Sequence, residues 1–147
     1  MHAQYVTLGA GSEVFGAAVD KVQEILDVRP ISRLPQMPAA MLGIIDVRGR
    51  TIPVVDLRHA LGFEAAEDTG NTRILVITVG GANGSSTLGV RTDRVFEVTG
   101  LDGALEPPVA AASGTGGCVA GIGRRNGGFV TVLDFDRLLR NVDVPRS

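Results

Sequence analysis

The feature that most constrains this chain is an echo of itself. Phe15 to Ile25 reads FGAAVDKVQEI and Leu88 to Val98 reads LGVRTDRVFEV, so Gly16, Asp20, Val22 and Glu24 recur as Gly89, Asp93, Val95 and Glu97. A second pair follows in the same order. Thr51 to Leu57 (TIPVVDL) resembles Phe129 to Phe135 (FVTVLDF), each run ending in an aspartate before a helical stretch. The copies lie about 75 residues apart, too few for a solenoid and enough for two similar subdomains. The 147-residue chain is therefore read as one domain, residues 1–147, made of two pseudo-repeated β subdomains. The polar run Glu64 to Asn71 falls between them and sets a connector near residues 62–72.

Within each copy the residues call for short strands and tight turns. Twenty glycines and seven prolines, with many Val, Ile and Thr, favour strands over long helices. Tyr5 to Leu8 and Val14 to Val19 predict a hairpin around Gly9–Ser12. Arg73 to Val79 and Thr87 to Arg91 predict another around Gly80–Ser86. Asp56 is placed to cap a helix over Leu57–Leu61 that stops at Gly62, and Asp134 one over Phe135–Arg140. Val22 to Leu26 reads either as helix or as a strand after a helical turn at Asp20. Leu105 to Gly117, with Pro107-Pro108 and then Ala, Ser and Gly, is expected to be a mobile loop. The fold class is all-β: two small connected barrels, each with a short helix, not a parallel βαβ sheet.

Composition and motifs narrow the function. A formal charge of −2 implies no basic face and argues against a nucleic-acid partner. The single cysteine, Cys118, excludes an internal disulfide and fits a reducing compartment. No apolar run approaches the roughly 20 residues that span a bilayer, and the first residues lack a signal-peptide pattern. A cytoplasmic location is expected. Gly9-Ala-Gly11 with Gly16 lacks the spacing of a nucleotide loop and any Lys-Ser/Thr, and the Gly-rich run Gly114 to Gly123 fails the same test. His59 and Cys118 have no motif around them and read as an exposed imidazole and a small buried thiol. Asp20, Asp93, Asp56 and Asp134 recur in matched pairs and read as caps and turn-formers, not as an acid/base dyad. No catalytic, cofactor or metal set is expected.

The most specific block is Leu34 to Arg58, LPQMPAAMLGIIDVRGRTIPVVDLR. A type II′ hairpin turn centred on Gly49-Arg50 would set Arg48 opposite Thr51, Val47 opposite Ile52 and Asp46 opposite Pro53. Alternation puts Ile45, Val47, Ile52 and Val54 on the core face, with Asp46 and Arg48 about 6.6 Å apart on the other. The matching place in the second half holds Arg124, Arg125 and Asn126 before Gly127, so Asp-Val-Arg-Gly belongs to one half only. What duplicated halves share is scaffold, and function can reside where they differ. Arg48 is read as a binding residue, since arginine is favoured at interface hot spots.

These residues resemble the CheW family of bacterial chemotaxis coupling proteins. The resemblance is carried by Leu34-Pro-x-x-Pro, Gly43-Ile-Ile-x-x-Arg-Gly, Ile52-Pro-Val-Val-Asp-Leu-Arg, Val19-Asp-Lys-Val-Gln-Glu-Ile and the late Val132-Leu-Asp-Phe-Asp-Arg-Leu-Leu. It implies two intertwined five-stranded SH3-like barrels and no catalysis. It implies an adaptor that links the cytoplasmic tips of chemoreceptors to the histidine kinase CheA, whose regulatory domain has the same fold. Such a protein is monomeric when isolated, forms rings with its partners and is recruited to membrane receptor arrays. Val22, Glu24 and Gly43 match positions tied to kinase binding, and Arg48 matches the arginine tied to receptor binding. Asp46 stands where the family usually has asparagine and is grouped with Arg48 as a receptor-side residue. Cys118-Val-Ala-Gly121 stands where Tyr-Leu-Thr-Gly is common. Three rival readings accompany this one: an adaptor of a non-flagellar chemosensory system controlling surface motility or a second messenger, a detached kinase regulatory domain, and a small β-barrel enzyme. A start at Met1 with no upstream linker disfavours the second.

Overall fold

A computed structural model describes residues 3–81, 84–107 and 118–139. The first half runs β1 (Tyr5–Ala10), β2 (Glu13–Ala18), a single 3-10 turn (Val19–Lys21), β3 (Val22–Asp27), β4 (Met41–Val47), β5 (Arg50–Asp56) and α1 (Leu57–Ala60). The second runs β6 (Arg73–Gly81), β7 (Gly84–Thr92), β8 (Arg94–Thr99), β9 (Asp102–Glu106), β10 (Val119–Arg125), β11 (Gly128–Leu133) and α2 (Phe135–Leu138). The sheets are ordered β8-β1-β2-β11-β10-β9 and β3-β6-β7-β5-β4. Each sheet takes two hairpin strands from one half and three strands from the other. The barrels are thus interleaved, and β9 adds a sixth strand to one of them.

The interleaving brings the two copies of the repeat into contact. β2 runs parallel to β11 with Gly16 beside Val132, and β7 runs parallel to β5 with Gly89 beside Val54. Both contacts join the two echo segments, Gly to Val, in pseudo-twofold positions. The glycines are needed for close approach: a Cβ on Gly89 would lie 2.9 Å from Ile74 Cγ2 and 3.2 Å from Val54 Cγ2. Two apolar clusters result. One is shared between the barrels and includes Leu8, Phe15, Leu57, Leu75, Ile77, Leu88 and Phe135. The other fills the β3/β4/β5 barrel with Leu26, Ile45, Val47, Ile52, Val54, Ile74 and Val76. At roughly 2 kcal/mol for each fully buried large aliphatic side chain, the shared cluster holds the halves together.

One open reading is decided and other local expectations are revised. Of the two readings of Val22 to Leu26, the strand after a helical turn is the one observed: Val22–Asp27 is strand, preceded by the 3-10 turn that holds Asp20. Tertiary pairing with β6 overrides the helix propensity of this short run. The second hairpin is longer than expected, with β6 and β7 paired as far as Gly81 and Gly84. Most of the expected Gly80–Ser86 loop is ladder, and residues 82–83 lie outside the described residues. Leu105 and Glu106 belong to β9; of the expected loop to Gly117, residues 108–117 lie outside the described residues. Both caps form. Asp56 accepts from Arg58 N at 3.2 Å and Asp134 from Arg137 N at 3.2 Å, with Gly62 at φ +81° ending the first helical turn. Among the described residues no helix is long and apolar enough to cross a membrane.

Candidate docking surface

The hairpin that carries Arg48 turns one residue earlier than expected. Val47 pairs with Arg50, Asp46 with Thr51 and Ile45 with Ile52. Arg48 and Gly49 are the central residues, at φ +51° and +83°, which makes the turn type I′ and not II′. The face assignment survives because alternation along each strand is unchanged: Ile45, Val47, Ile52 and Val54 are all buried. The Asp46 carboxylate caps the turn, its Oδ1 accepting from Gly49 N at 2.9 Å. That bond supports the left-handed pair of residues, so the carboxylate is occupied by the backbone.

The acid that meets Arg48 comes from a distant strand. Glu24 on β3 accepts from Arg48 Nη1 at 3.1 Å through Oε1 and from Nη2 through Oε2, a bidentate fork. The hydrogen bond to Arg48 holds the Glu24 carboxyl below its ordinary range, with Arg29 and Arg50 adding to the effect through space, and the same bond raises the Arg48 pKa. Arg48 remains 70% exposed, so the pair presents a guanidinium to solvent more than it stabilises the fold. Val22, two residues before Glu24, packs against the shared core from the edge of the barrel, opposite Ile77.

Gly43 sits apart from this corner, roughly 16 Å along β4 at 3.3 Å per residue. It is buried at φ +149°, in a bulge between Met41 and its partner strand. A Cβ there would run into the Ser32 carbonyl oxygen, because the backbone at Ser32 bridges Ile44 on both sides. The structure therefore brings Glu24 to the turn formed by Asp46 and Arg48, leaves Val22 packed against the shared core, and places Gly43 under a crossing segment.

A twin of the corner stands in the other half. Arg125 Nη2 lies 3.3 Å from Glu97 Oε1, and Asn126-Gly127 forms the matching turn at φ +52° and +78°. Gly121 takes the place of Gly43 in a bulge of β10, crossed by β9 as Gly43 is crossed by the Ser32 segment. An ion pair between the third strand and a hairpin tip is thus common to both barrels. What is peculiar to the first is that the arginine occupies the turn itself.

Two arginine networks were not visible in the sequence. Arg58 forks onto Asp93, with Nη2–Oδ2 at 2.7 Å, and donates from Nη1 to Glu64 O at 3.0 Å. Asp93 also accepts from Gly11 N at 2.7 Å, and the hydrogen bond from Arg58 chiefly holds its pKa low. Asp93 stands at the bend between β7 and β8, as the repeat suggested, and is in addition an ion-pair partner. Arg91, 6% exposed, reaches Asp68 at 2.6 Å, Ala66 O at 2.9 Å and Asp56 at 3.5 Å. Together the two arginines strap the connector to the body. No motif could have revealed them, since each arginine and its aspartates lie 23 to 35 residues apart. His59 is exposed on α1 and Cys118 is buried in the shared core. A cleft of about 290 Å³ opens beside α2, lined by Tyr5, Lys21, Leu105, Val132, Phe135 and Asp136, with Lys21 and Asp136 3.7 Å apart across it.

Fold and corner define a two-barrel β-module with charged, solvent-facing hairpin tips and a shallow cleft between elements of both halves. The sequence profile of the CheW-like domain matches residues 4–143. The chemotaxis protein CheW of Rhizobium meliloti is 32% identical over 111 residues, covering 75% of this chain and 69% of that protein. CheW of Helicobacter pylori is 25% identical over 93% of this chain and 81% of its own length, and protein FrzA of Myxococcus xanthus 29% identical over 93% and 85%. The crystal structure of the scaffolding protein TtCheW from Thermoanaerobacter tengcongensis superposes with a TM-score of 0.80 at 25% identity, covering 97% of this chain and 95% of that one. The chain belongs to the CheW-like family.

Proposed function

We propose that this protein is a non-enzymatic adaptor that couples the cytoplasmic tips of chemoreceptors to a CheA-type histidine kinase in a membrane-associated signalling array. The observation that carries this reading is the assembled corner of Glu24, Asp46 and Arg48, within a family match that runs nearly the length of the chain. Arg48 offers a guanidinium at a barrel tip, a residue type suited to planar recognition of carboxylates. The cleft beside α2 offers apolar side chains from Tyr5, Leu105, Val132 and Phe135 with an ion pair at its rim. That combination suits an amphipathic helix laid into a groove. The pseudo-twofold barrels give two related ends, and contacts between unlike ends of similar modules close into rings.

Reconstitution tests the reading. Kinase autophosphorylation is measured with receptor cytoplasmic fragments from the same source, with and without this protein. Receptor-dependent control of the kinase that requires the protein is the expected result. No binding and no change with any such receptor–kinase pair would refute it.

A further inference from the structure

Charge at the Glu24 corner does not balance. We infer that this corner takes a carboxylate-bearing segment of a protein partner, gripped by Arg29, Arg48 and Arg50 together. The inference rests on the coupling role and states the chemistry of what docks there. Arg48 spends two of its five N–H donors on Glu24 and leaves the rest to solvent. Arg50 opens β5, is exposed, and donates from Nη2 to the neutral Thr87 hydroxyl at 3.3 Å. Arg29 follows β3 and is half-buried, with its Nε enclosed and facing no acceptor among the described residues. The neighbouring acids are engaged elsewhere: Asp46 holds Gly49 N, and Asp27 lies 3.5 Å from Arg73.

Both Arg29 and Arg50 act on Glu24 through space, so three guanidiniums share the field of one carboxylate. This local excess arises on a chain whose net charge is −2. A neutral or basic surface covering the corner would strip water from Arg29 and Arg50 and return nothing. Carboxylates would restore those bonds and discriminate against basic competitors. The other half shows that the device is local. In the register of the repeat the twin positions of Arg29 and Arg50 are Asp102 and Gly128. The exposed arginines on that side, Arg94 and Arg124, lie over the rings of Phe96 and Phe129 at 4.8 and 4.7 Å.

The test is calorimetric titration of the full chain with the receptor cytoplasmic fragment and, separately, the kinase regulatory domain, each at low and high salt. Arg29→Gln/Arg50→Gln is compared with wild type and with Arg94→Gln in the twin corner. The double variant is expected to bind one of the two fragments about tenfold more weakly at low salt, on the scale of two exposed charge pairs. Its salt dependence should be shallower, and its urea midpoint unchanged. A Glu→Gln scan of the partner should locate the acidic segment as the positions whose loss weakens wild type and leaves the double variant unchanged. Unchanged affinity and salt slope for both fragments would overturn the inference while leaving the coupling role intact. Failure of wild type to bind either fragment would overturn the role itself. Salt-sensitive binding to phosphatidylglycerol vesicles in place of either fragment would overturn the assignment to a protein.

Discussion

Replacing Gly43 by alanine separates a backbone requirement from a binding contact. The family resemblance implied a kinase-binding role for this residue, yet its surroundings demand glycine for a different reason. At φ +149° a side chain is strained, at a cost of about 1 kcal/mol. The new Cβ would also push against the Ser32 carbonyl and the Ile31 side chain. Relief requires the Ser32 segment to move off β4, which breaks Ser32 N–Ile44 O (2.9 Å) and Ile44 N–Ser32 O (2.8 Å). Each such bond contributes about 1 kcal/mol net. Gly43→Ala should therefore lose about 3 kcal/mol, a fall in melting temperature of about 10 °C for a domain of this size. Calorimetric melting measures this directly, with kinase binding of the variant recorded at a temperature where it is still folded. Weakened binding is expected too, because the displaced segment belongs to the loop that joins β3, which carries Glu24, to β4. A variant that melts within about 2 °C of wild type but no longer binds the kinase domain would refute the reasoning and make Gly43 itself part of the contact.

Arg48→Ala should weaken receptor binding while leaving the melting temperature nearly unchanged, since the guanidinium is mostly exposed; a large loss of stability would assign it to the scaffold. Glu24→Ala and Arg48→Ala should give non-additive losses in a double-mutant cycle of binding, because the two side chains hold each other, and additive losses would show that the fork is incidental. Asp93→Asn should show a pH-dependent deficit. The folded-state pKa of Asp93 lies below its ordinary 3.8, so its contribution is present above that value and is lost as pH falls through the folded pKa. Urea midpoints of variant and wild type should differ most near neutrality and converge in acid, and a gap that does not change with pH would refute the Arg58 ion pair as its source.

Much of the architecture could be read from the repeat. Gly16 with Gly89, and Val54 with Val132, mark equivalent crossings of parallel strands, and Asp56 and Asp134 mark equivalent helix starts. These signals are local, and local rules govern caps, alternation and turns. The strand exchange between halves was implied only by family resemblance, because a repeat says that two units are alike and not how they share strands. The turn at Arg48-Gly49 was misplaced by one residue for a related reason. Glycine tolerates either central position, and the choice was made by the Asp46 cap and by pairing across to Ile52. Glu24, singled out only by the resemblance, and Arg48 could be named but not joined, since nothing in a linear chain brings Glu24 to a residue 24 positions away. The straps made by Arg58 and Arg91 were invisible for the same reason: they connect charges that look like ordinary surface residues until the fold assembles them.

The exchange of strands bears on how the protein is made. During synthesis the N-terminal half leaves the ribosome first, but β3 finds its ladder partner only when β6 has emerged, and β5 gains its second neighbour only with β7. At about 5–20 residues per second, β3, β4 and β5 wait some seconds before either barrel can close. The apolar edges of that waiting half are open to wrong pairing throughout, which makes the nascent first half the natural client for a chaperone. Neither barrel is an independent folding unit, and a truncation within the connector removes both at once.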